Sequence, residues 1–346
     1  MIKGDSLNFL EKLISTISPS GFEHDAVSLW SSYVKRFVSR VGIDVNGNGI
    51  ALCQGEGNRR VMLAAHIDEI GYMVKYIDRE GFLYFAPIGG VDPHLIPGQR
   101  VWIKTKKGRI TGVIGRKPIH LISRDEERKV AKIEDMFIDI GAKSEKEAKK
   151  RISVGDCLVP AVALENLYGD IFVARGFDDK AGVFVMSEVL KKVSQQKLKF
   201  TLYGVATTQE EIGLRGARTS SYDISPDIAL VIEVTFATDF PGIDKRKVGQ
   251  INLGGGPVIA RGPNIHPEIF DLLVRVAEKN NISYQIEAIE RPTGTDANII
   301  QITKSGVKTG LLSIPIRYMH TAVELINAKD LEGAIRLITA FLKVLQ

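Results

Sequence analysis

Side chains suited to metal binding follow several short apolar segments of this sequence. Four such segments lead into histidine or carboxylate residues: 61–65 into His66 and Asp68, 200–208 into Glu210 and Glu211, 228–232 into Glu233, and 310–315 into His320. Short, uniformly apolar runs are typical of strands buried on both faces of a sheet. Because ligands gather at the carboxyl ends of such strands, we expect these side chains to lie together. A fifth candidate, Asp178, comes just before a helical pattern.

Two histidines and several carboxylates are the side chains that hydrolysis by paired metal ions requires. Two divalent ions held about 3.5 to 4 Å apart polarise a scissile carbonyl and activate water near neutral pH. They need a bridging carboxylate and further ligands, and histidine with carboxylate but without thiolate suits zinc, cobalt or manganese. Another carboxylate must stay off the metal to move the proton. We expect Asp68 to contact the His66 imidazole and to fix its tautomer.

Each of these residues also has a simpler interpretation when it is taken alone. His66 could be an ordinary core histidine, and Asp178 could simply cap the helix near Lys180. Glu210 and Glu211 could be exposed loop charges, and His320 could be a surface residue. Glu233 is harder to explain in this way, since a carboxylate that closes an apolar strand is rarely buried without a partner. Taken together, two histidines and at least three carboxylates in such positions favour a metal site.

The elements that must position these residues follow an α/β pattern. The apolar runs alternate with helical patterns at residues 182–190 and 270–277. Near the start, leucine and isoleucine recur at helical spacing after Asp5 and Ser6, which are good N-cap types. Alternating strands and helices predict a layered mixed sheet flanked by helices.

Residues 72–160 have a different pattern. They contain many brief β-type runs that are separated by glycine and proline, which predicts a small β-rich domain. Because α/β character is found on both sides of it, we expect this domain to be inserted into the larger one. The larger, catalytic domain is then discontinuous and comprises residues 1–71 and 161–346.

Composition and charge exclude several other classes of protein. The chain has 346 residues and a net charge of +5, but its basic residues are interleaved with acidic ones, which argues against nucleic-acid binding. Cys53 and Cys157 are far apart, so neither a disulfide framework nor a thiolate zinc site is expected. With neither a signal-peptide pattern nor an apolar run of about 18 residues, we expect a cytoplasmic protein that does not bind membranes.

Five motifs in order resemble those of one known enzyme family. They are residues 65–71 (AHIDEIG), 177–182 (FDDKAG), 208–216 (TQEEIGLRG), 292–298 (PTGTDAN) and 318–324 (YMHTAVE). Together they resemble the M42 family of dinuclear metallo-aminopeptidases, also called TET aminopeptidases, some members of which have been named endoglucanases. The resemblance extends over nearly the whole chain and implies a zinc-exopeptidase-like fold for the larger domain. It implies removal of N-terminal residues from peptides that have a free α-amine.

The resemblance also implies a role for each candidate residue. Asp178 would bridge two divalent metal ions, His66 and Glu233 would hold one ion, and Glu211 and His320 would hold the other. Glu210 would act as the general base, with Asp68 as a second catalytic residue. Glu233 stands where aspartate is more common in the family, and Lys180 where arginine is common, a change that we expect to be harmless. Thr295 and Asp296 are candidates for the substrate cleft, although their motif could equally be only a turn.

The resemblance has a further implication for the β-rich insert. It would be a PDZ-like dimerisation domain, and the dimers would assemble into a hollow dodecamer. Three alternatives to an aminopeptidase are a carboxypeptidase or N-deacylase of the same clan, a non-catalytic scaffold that binds peptide termini, and a glycosidase. The insert argues against the first and the intact ligand set against the second. A glycosidase would need two carboxylates without a metal role.

Overall fold

The computed structural model describes residues 2–121 and 130–346 of the chain. Its helices are α1 (Asp5–Ser15), α2 (His24–Val34), α3 (Glu145–Ala148), α4 (Phe177–Val193), α5 (Arg215–Ile224), α6 (Lys245–Val248), α7 (Pro267–Lys279), α8 (Asp296–Ile300) and α9 (Ala328–Val344). Short 3-10 helices cover Pro93–Leu95, Ile119–Leu121 and Ile133–Asp135. In the described part of the chain, no helix combines the length and the apolar character needed to cross a bilayer.

The strands form three groups. An eight-stranded sheet contains, in spatial order, β1 (Arg40–Ile43), β2 (Gly49–Cys53), β12 (Thr201–Thr207), β3 (Arg60–His66), β13 (Ile228–Phe236), β16 (Lys308–Ile316), β14 (Val258–Arg261) and β15 (Gln285–Ala288). A closed barrel contains β4 (Gly71–Ile77), β5 (Leu83–Ile88), β8 (Phe137–Asp139), β7 (Gly108–Gly115), β6 (Arg100–Thr105) and β9 (Cys157–Pro160). A small sheet contains β10 (Glu165–Tyr168), β11 (Ile171–Ala174) and β17 (Glu324–Asn327).

The large sheet is mixed, and its central strands β12, β3, β13 and β16 are parallel. Antiparallel strands flank them, since β2 pairs with β12 and β14 pairs with β16 in that direction. The central strands come from the apolar runs of the sequence, and residues 61–65 are completely buried. Helix α4 packs against β3 and β13 and also against α9. The predicted α/β sheet with flanking helices is confirmed.

Strand register explains why residues from distant segments meet. His66 pairs with Thr207 across β3 and β12. On the other side, β13 pairs with β3 only as far as Val231 opposite Ala64, and continuing this register places Glu233 level with His66. Strand β13 itself runs on to Phe236, so Glu233 lies within the strand and not at its end as expected.

The inserted segment forms the closed barrel, which confirms the predicted small β-rich unit. It has an apolar cluster of its own, which includes Val74, Leu83, Val101 and Ile138. A separate small cluster of Ile17, Cys157 and Val159, with Phe22 and Trp102 packed against it, joins the barrel to the larger part of the protein. The barrel is therefore packed against the larger part of the protein, which carries the candidate ligands.

Some elements were not expected from the sequence. Strands β1, β10 and β15 are short and largely polar or exposed, so they lack the apolar pattern by which strands are recognised. Helix α1 begins at Asp5 after Gly4, and it therefore includes Asp5 and Ser6, the two residues expected to precede it as caps.

Candidate active site

One group of possible metal ligands comprises His66, Asp178 and Glu233. The Nε2 atom of His66 lies 3.0 Å from Oδ1 of Asp178 and 3.3 Å from Oε1 of Glu233. All three side chains are buried. The register of β3 and β13 brings His66 and Glu233 together, and the start of α4 brings Asp178 to them.

A second group shares Asp178 and adds Glu211 and His320. The Nε2 atom of His320 lies 3.1 Å from Oδ2 of Asp178 and 3.4 Å from Oε1 of Glu211. The two oxygens of Asp178 thus face different histidines, Oδ1 toward His66 and Oδ2 toward His320. This is the arrangement expected of a carboxylate shared between two metal ions.

Glu210 belongs to neither group, although it follows the same strand as Glu211. Its Oε2 lies 4.0 Å from Nε2 of His66, and its side chain is only 10% exposed. Residues 208–214 form a turn in which Gln209 has a positive φ of 57°. The turn directs Glu211 to the second ligand group and leaves Glu210 beside the first, without a place in it.

Asp68 supports this turn through its carboxylate. Its Oδ1 accepts a hydrogen bond from the backbone N–H of Glu210 at 3.1 Å, and its Oδ2 accepts one from that of Glu211 at 3.2 Å. The hydroxyl of Ser20 also donates to Oδ2. The nearest contact of the His66 Nδ1 atom is the backbone oxygen of Asp68, at 3.1 Å, and the carboxylate is 3.5 Å away. Asp68 therefore contacts His66 as expected and also holds the Glu210 turn, a role that the sequence did not suggest.

Glu324 is a functional candidate that the sequence reasoning missed. Its buried carboxylate accepts hydrogen bonds from the backbone N–H groups of Asp178, at 3.2 Å, and His320, at 3.0 Å. It therefore positions the backbone of one ligand from each side of the centre. The only signal in the sequence was that Glu324 ends the motif at residues 318–324. His320 also has its Nδ1 atom 3.0 Å from the backbone oxygen of Gly90, which belongs to the inserted segment.

The crowding of carboxylates shifts their proton affinities. Burial and the neighbouring charge of Glu233 raise the pKa of Glu210 to about 10, and burial also raises the pKa of Glu211 and of Glu233. Hydrogen bonds to Asp178 and Glu211 raise the pKa of His320 to about 11. Ionised carboxylates this close repel one another in a buried site. Cations bound between them would offset this electrostatic repulsion.

The residues present fit a pair of divalent cations. Within each group one ligand atom per residue lies within 4.8 Å of the others, and the donors are imidazole nitrogens and carboxylate oxygens. This donor set suits zinc, cobalt or manganese. All five ligands predicted from the sequence fall into the two groups, so the structure brings together the complete predicted set.

A cleft of about 740 Å³ opens over this centre. Its lining includes His66, Glu210 and Thr295. The second tentative substrate residue, Asp296, is buried at the start of α8, where its Oδ2 accepts a hydrogen bond from the Thr207 hydroxyl at 2.6 Å. Thr295 therefore remains a candidate for substrate contact, whereas Asp296 supports the end of β12.

The fold and the paired ligand groups together suit a metal-dependent hydrolase. The model of the M42 glutamyl aminopeptidase family matches residues 47–337. The chain belongs to this family of peptide-hydrolysing aminopeptidases. The structure thus agrees with the resemblance that the motifs carry.

Individual relatives cover almost the whole chain. A lysyl aminopeptidase from Pyrococcus furiosus is 40% identical and aligns over 97% of this chain and 96% of its own length. A TET aminopeptidase structure from Thaumarchaeota archaeon SCGC AB-539-E09 is 35% identical with a TM-score of 0.94, over 99% and 96% of the two chains. A TET1 peptidase from Pyrococcus horikoshii can assemble into a tetrahedron or a large octahedral shell. It is 34% identical with a TM-score of 0.87, and the alignment covers 97% of this chain and 98% of that one.

Proposed function

We propose that this protein removes N-terminal residues from peptides with the aid of two divalent metal ions shared by Asp178. One observation carries the proposal: the two oxygens of Asp178 lie 3.0 and 3.1 Å from the Nε2 atoms of His66 and His320. When bound, such ions would polarise the scissile carbonyl and lower the pKa of water. Zinc, cobalt and manganese all suit the donor set.

In this proposal Glu210 is the general base. Its carboxylate lies beside the first ligand group but belongs to neither group, so it is free to accept a proton from the attacking water and to pass it to the leaving amine. Asp68 keeps Glu210 in place through the backbone of the turn. Glu324 does the same for Asp178 and His320.

The substrate is a peptide with a free α-amine, as the family resemblance implies. Relatives differ in the residue that their names specify, since the family description says glutamyl and the Pyrococcus furiosus relative is a lysyl enzyme. The lining of the cleft must therefore determine the preference of this chain. We also propose that the inserted barrel joins subunits into dimers and that the dimers form a dodecamer.

Metal removal and restoration test the proposed function. Dialysis against a chelator should abolish the hydrolysis of aminoacyl p-nitroanilides, and zinc, cobalt or manganese should restore it, because the ligands act only through the bound ions. Hydrolysis at the full rate by protein shown to be metal-free would contradict the mechanism.

Blocked substrates test the exopeptidase assignment separately. A dipeptide with a free amine should be cleaved, whereas its N-acetylated form should be cleaved slowly or not at all. If the metal-loaded protein instead cleaves the acetylated form readily, the carboxypeptidase or N-deacylase alternative is favoured.

A further inference from the structure

A carboxylate outside the ligand groups also faces the cleft. Glu287 lies on β15 and lines the same cleft as His66, Glu210 and Glu233. Each of its carboxylate oxygens is 2.9 Å from the hydroxyl oxygen of Thr235. A threonine hydroxyl has only one hydrogen to donate, so most of the acceptor capacity of Glu287 is left for another partner. Neither the proposed catalysis nor the ligand set uses this residue.

Glu287 has no ion-pair partner among the residues that the structure describes. Arg291 also lines the cleft, but its guanidinium lies 3.0 Å from the exposed Glu290. Burial raises the pKa of the Glu287 carboxyl, and no neighbouring cation offsets that effect in the described part of the chain. A partly buried carboxylate without a counter-charge would gain from a cation supplied by a ligand.

The position of Thr235 sets the distance between Glu287 and the metal ligands. Thr235 follows Glu233 by two residues on β13, so both side chains are on the same face of the strand, about 7 Å apart along it. Glu287 contacts the Thr235 side chain, so its carboxylate lies at the Thr235 end of this spacing and within the same cleft as Glu233. The four-carbon stem of a lysine, or the similar stem of an arginine, spans a comparable length.

We propose that Glu287 and Thr235 form a subsite for the cationic side chain of a substrate's N-terminal residue. The inference rests on the proposed function, which places the α-amine and the scissile carbonyl of the substrate at the ligand groups. A lysine or arginine side chain that extends along β13 brings its cation to Glu287. An acidic side chain would meet repulsion there, and an aliphatic one would leave the carboxylate unpaired.

The ratio of kcat/KM between substrates, measured in variants of Glu287, tests this subsite. The metal-loaded protein should hydrolyse lysine and arginine p-nitroanilides with a higher kcat/KM than the leucine and glutamate compounds. In Glu287→Gln the ratio of kcat/KM for lysine over leucine should fall by about tenfold or more, because the charge-assisted contact is lost. In Glu287→Lys the preference should shift toward the glutamate substrate.

The matched control is Glu290→Gln, the same change at an exposed acidic residue of the cleft rim. This control should leave the lysine-to-leucine ratio within about twofold of the parent value, since the side chain is solvated. An equal fall in both variants would mean that the general negative charge of the cleft, and no specific contact, selects the substrate. A parent protein that prefers leucine or glutamate, or a ratio insensitive to Glu287→Gln, would also overturn the inference.

Binding of free amino acids separates this inference from the proposed function. Calorimetry should show that free lysine binds the metal-loaded protein more tightly than free leucine, and that Glu287→Gln removes the difference. If no p-nitroanilide is hydrolysed but this difference is found, the proposed function fails and the cationic subsite stands. Equal binding of lysine and leucine to the parent protein would overturn the subsite.

Discussion

Asp178 is the residue that links the two ligand groups. Its oxygens face His66 and His320, while its backbone N–H donates to Glu324. The side chain is therefore shared, and its backbone is held by Glu324, which belongs to neither ligand group. If Asp178 bridges two metal ions as proposed, a misplaced oxygen would disturb both metal positions at once, so this anchoring supports the role of the carboxylate.

Neighbouring carboxylates at positions 210 and 211 should respond differently to the same substitution. Glu210→Gln keeps the size of the side chain but cannot accept a proton, so turnover should fall by about 10²–10⁴-fold with both metal ions retained. Glu211→Gln replaces a charged ligand with a neutral amide, so it should weaken one metal position, and excess metal should partly restore turnover. Elemental analysis and turnover with added metal measure both effects.

The two variants serve as controls for each other, since the chemical change is identical and the positions are adjacent. The assignment is reversed if Glu210→Gln loses a metal ion while Glu211→Gln retains both.

Asp68 should act on catalysis through the turn that it holds. In Asp68→Asn, one carboxylate oxygen that accepts a backbone N–H becomes an amide that cannot, so the Glu210 turn loses a hydrogen bond. We expect kcat to fall by about 10–100-fold, with little change in metal content. Steady-state kinetics with elemental analysis measure this. Asp78→Asn is the control, because Asp78 also accepts a backbone N–H, that of Phe82, but in the barrel. If Asp78→Asn lowers kcat as much, the effect is not specific to the turn.

At the scale of elements, a buried ion cluster ties the start of α4 to the rest of the site. Glu69 follows Asp68 and contacts both Arg175 and Lys180, with Lys180 Nζ 2.7 Å from Glu69 Oε1. Lys180 Nζ also donates to the backbone oxygen of Thr16 at 2.8 Å, just beyond α1. All three charged side chains are at most 2% exposed. Lys180, which the sequence suggested was an inconsequential replacement for arginine, is thus part of the support for Asp178.

Removal of the anion from this cluster should destabilise the protein. Glu69→Gln leaves two buried cations without a counter-charge, and we expect the free energy of unfolding to fall by about 3–5 kcal/mol. Urea unfolding measures the change. In the control Glu145→Gln, the affected ion pair with Lys149 is exposed on α3, so the unfolding curve should hardly move. Equal curves for the parent protein and Glu69→Gln would show that the cluster adds no stability.

At the scale of the whole molecule, the barrel contributes to the site and is also available for contacts between subunits. The backbone oxygen of Gly90, from the inserted segment, lies 3.0 Å from the Nδ1 atom of His320. The outer surface of the barrel exposes apolar side chains such as Tyr76, Val113 and Val154. Apolar side chains on an outer surface are suited to burial between subunits.

Assembly should therefore depend on the barrel. Light scattering of the metal-loaded protein at micromolar concentration should give a mass well above the 38.1 kDa of one chain. Val113→Asp places a charge on the outer face of β7, and it should lower the mass by weakening the contact. Val45→Asp, at an exposed position outside the insert, is the control and should leave the mass unchanged. A single species of 38.1 kDa for the parent protein would contradict the prediction.

The central strands, the β-rich insert and the residues of the two candidate ligand groups could be predicted from the sequence. These features depend on local patterns: continuous apolar runs mark buried strands, and histidine or carboxylate residues directly after or within them mark the site. Which residues support the two candidate ligand groups depends on the tertiary structure. Asp68 contacts a turn 142 residues away, and Glu324 contacts a helix start 146 residues away. The side chains of Glu287 and Thr235 meet although β16 and β14 lie between their strands in the sheet. Such contacts depend on how distant segments pack, and a local pattern carries no trace of the partner.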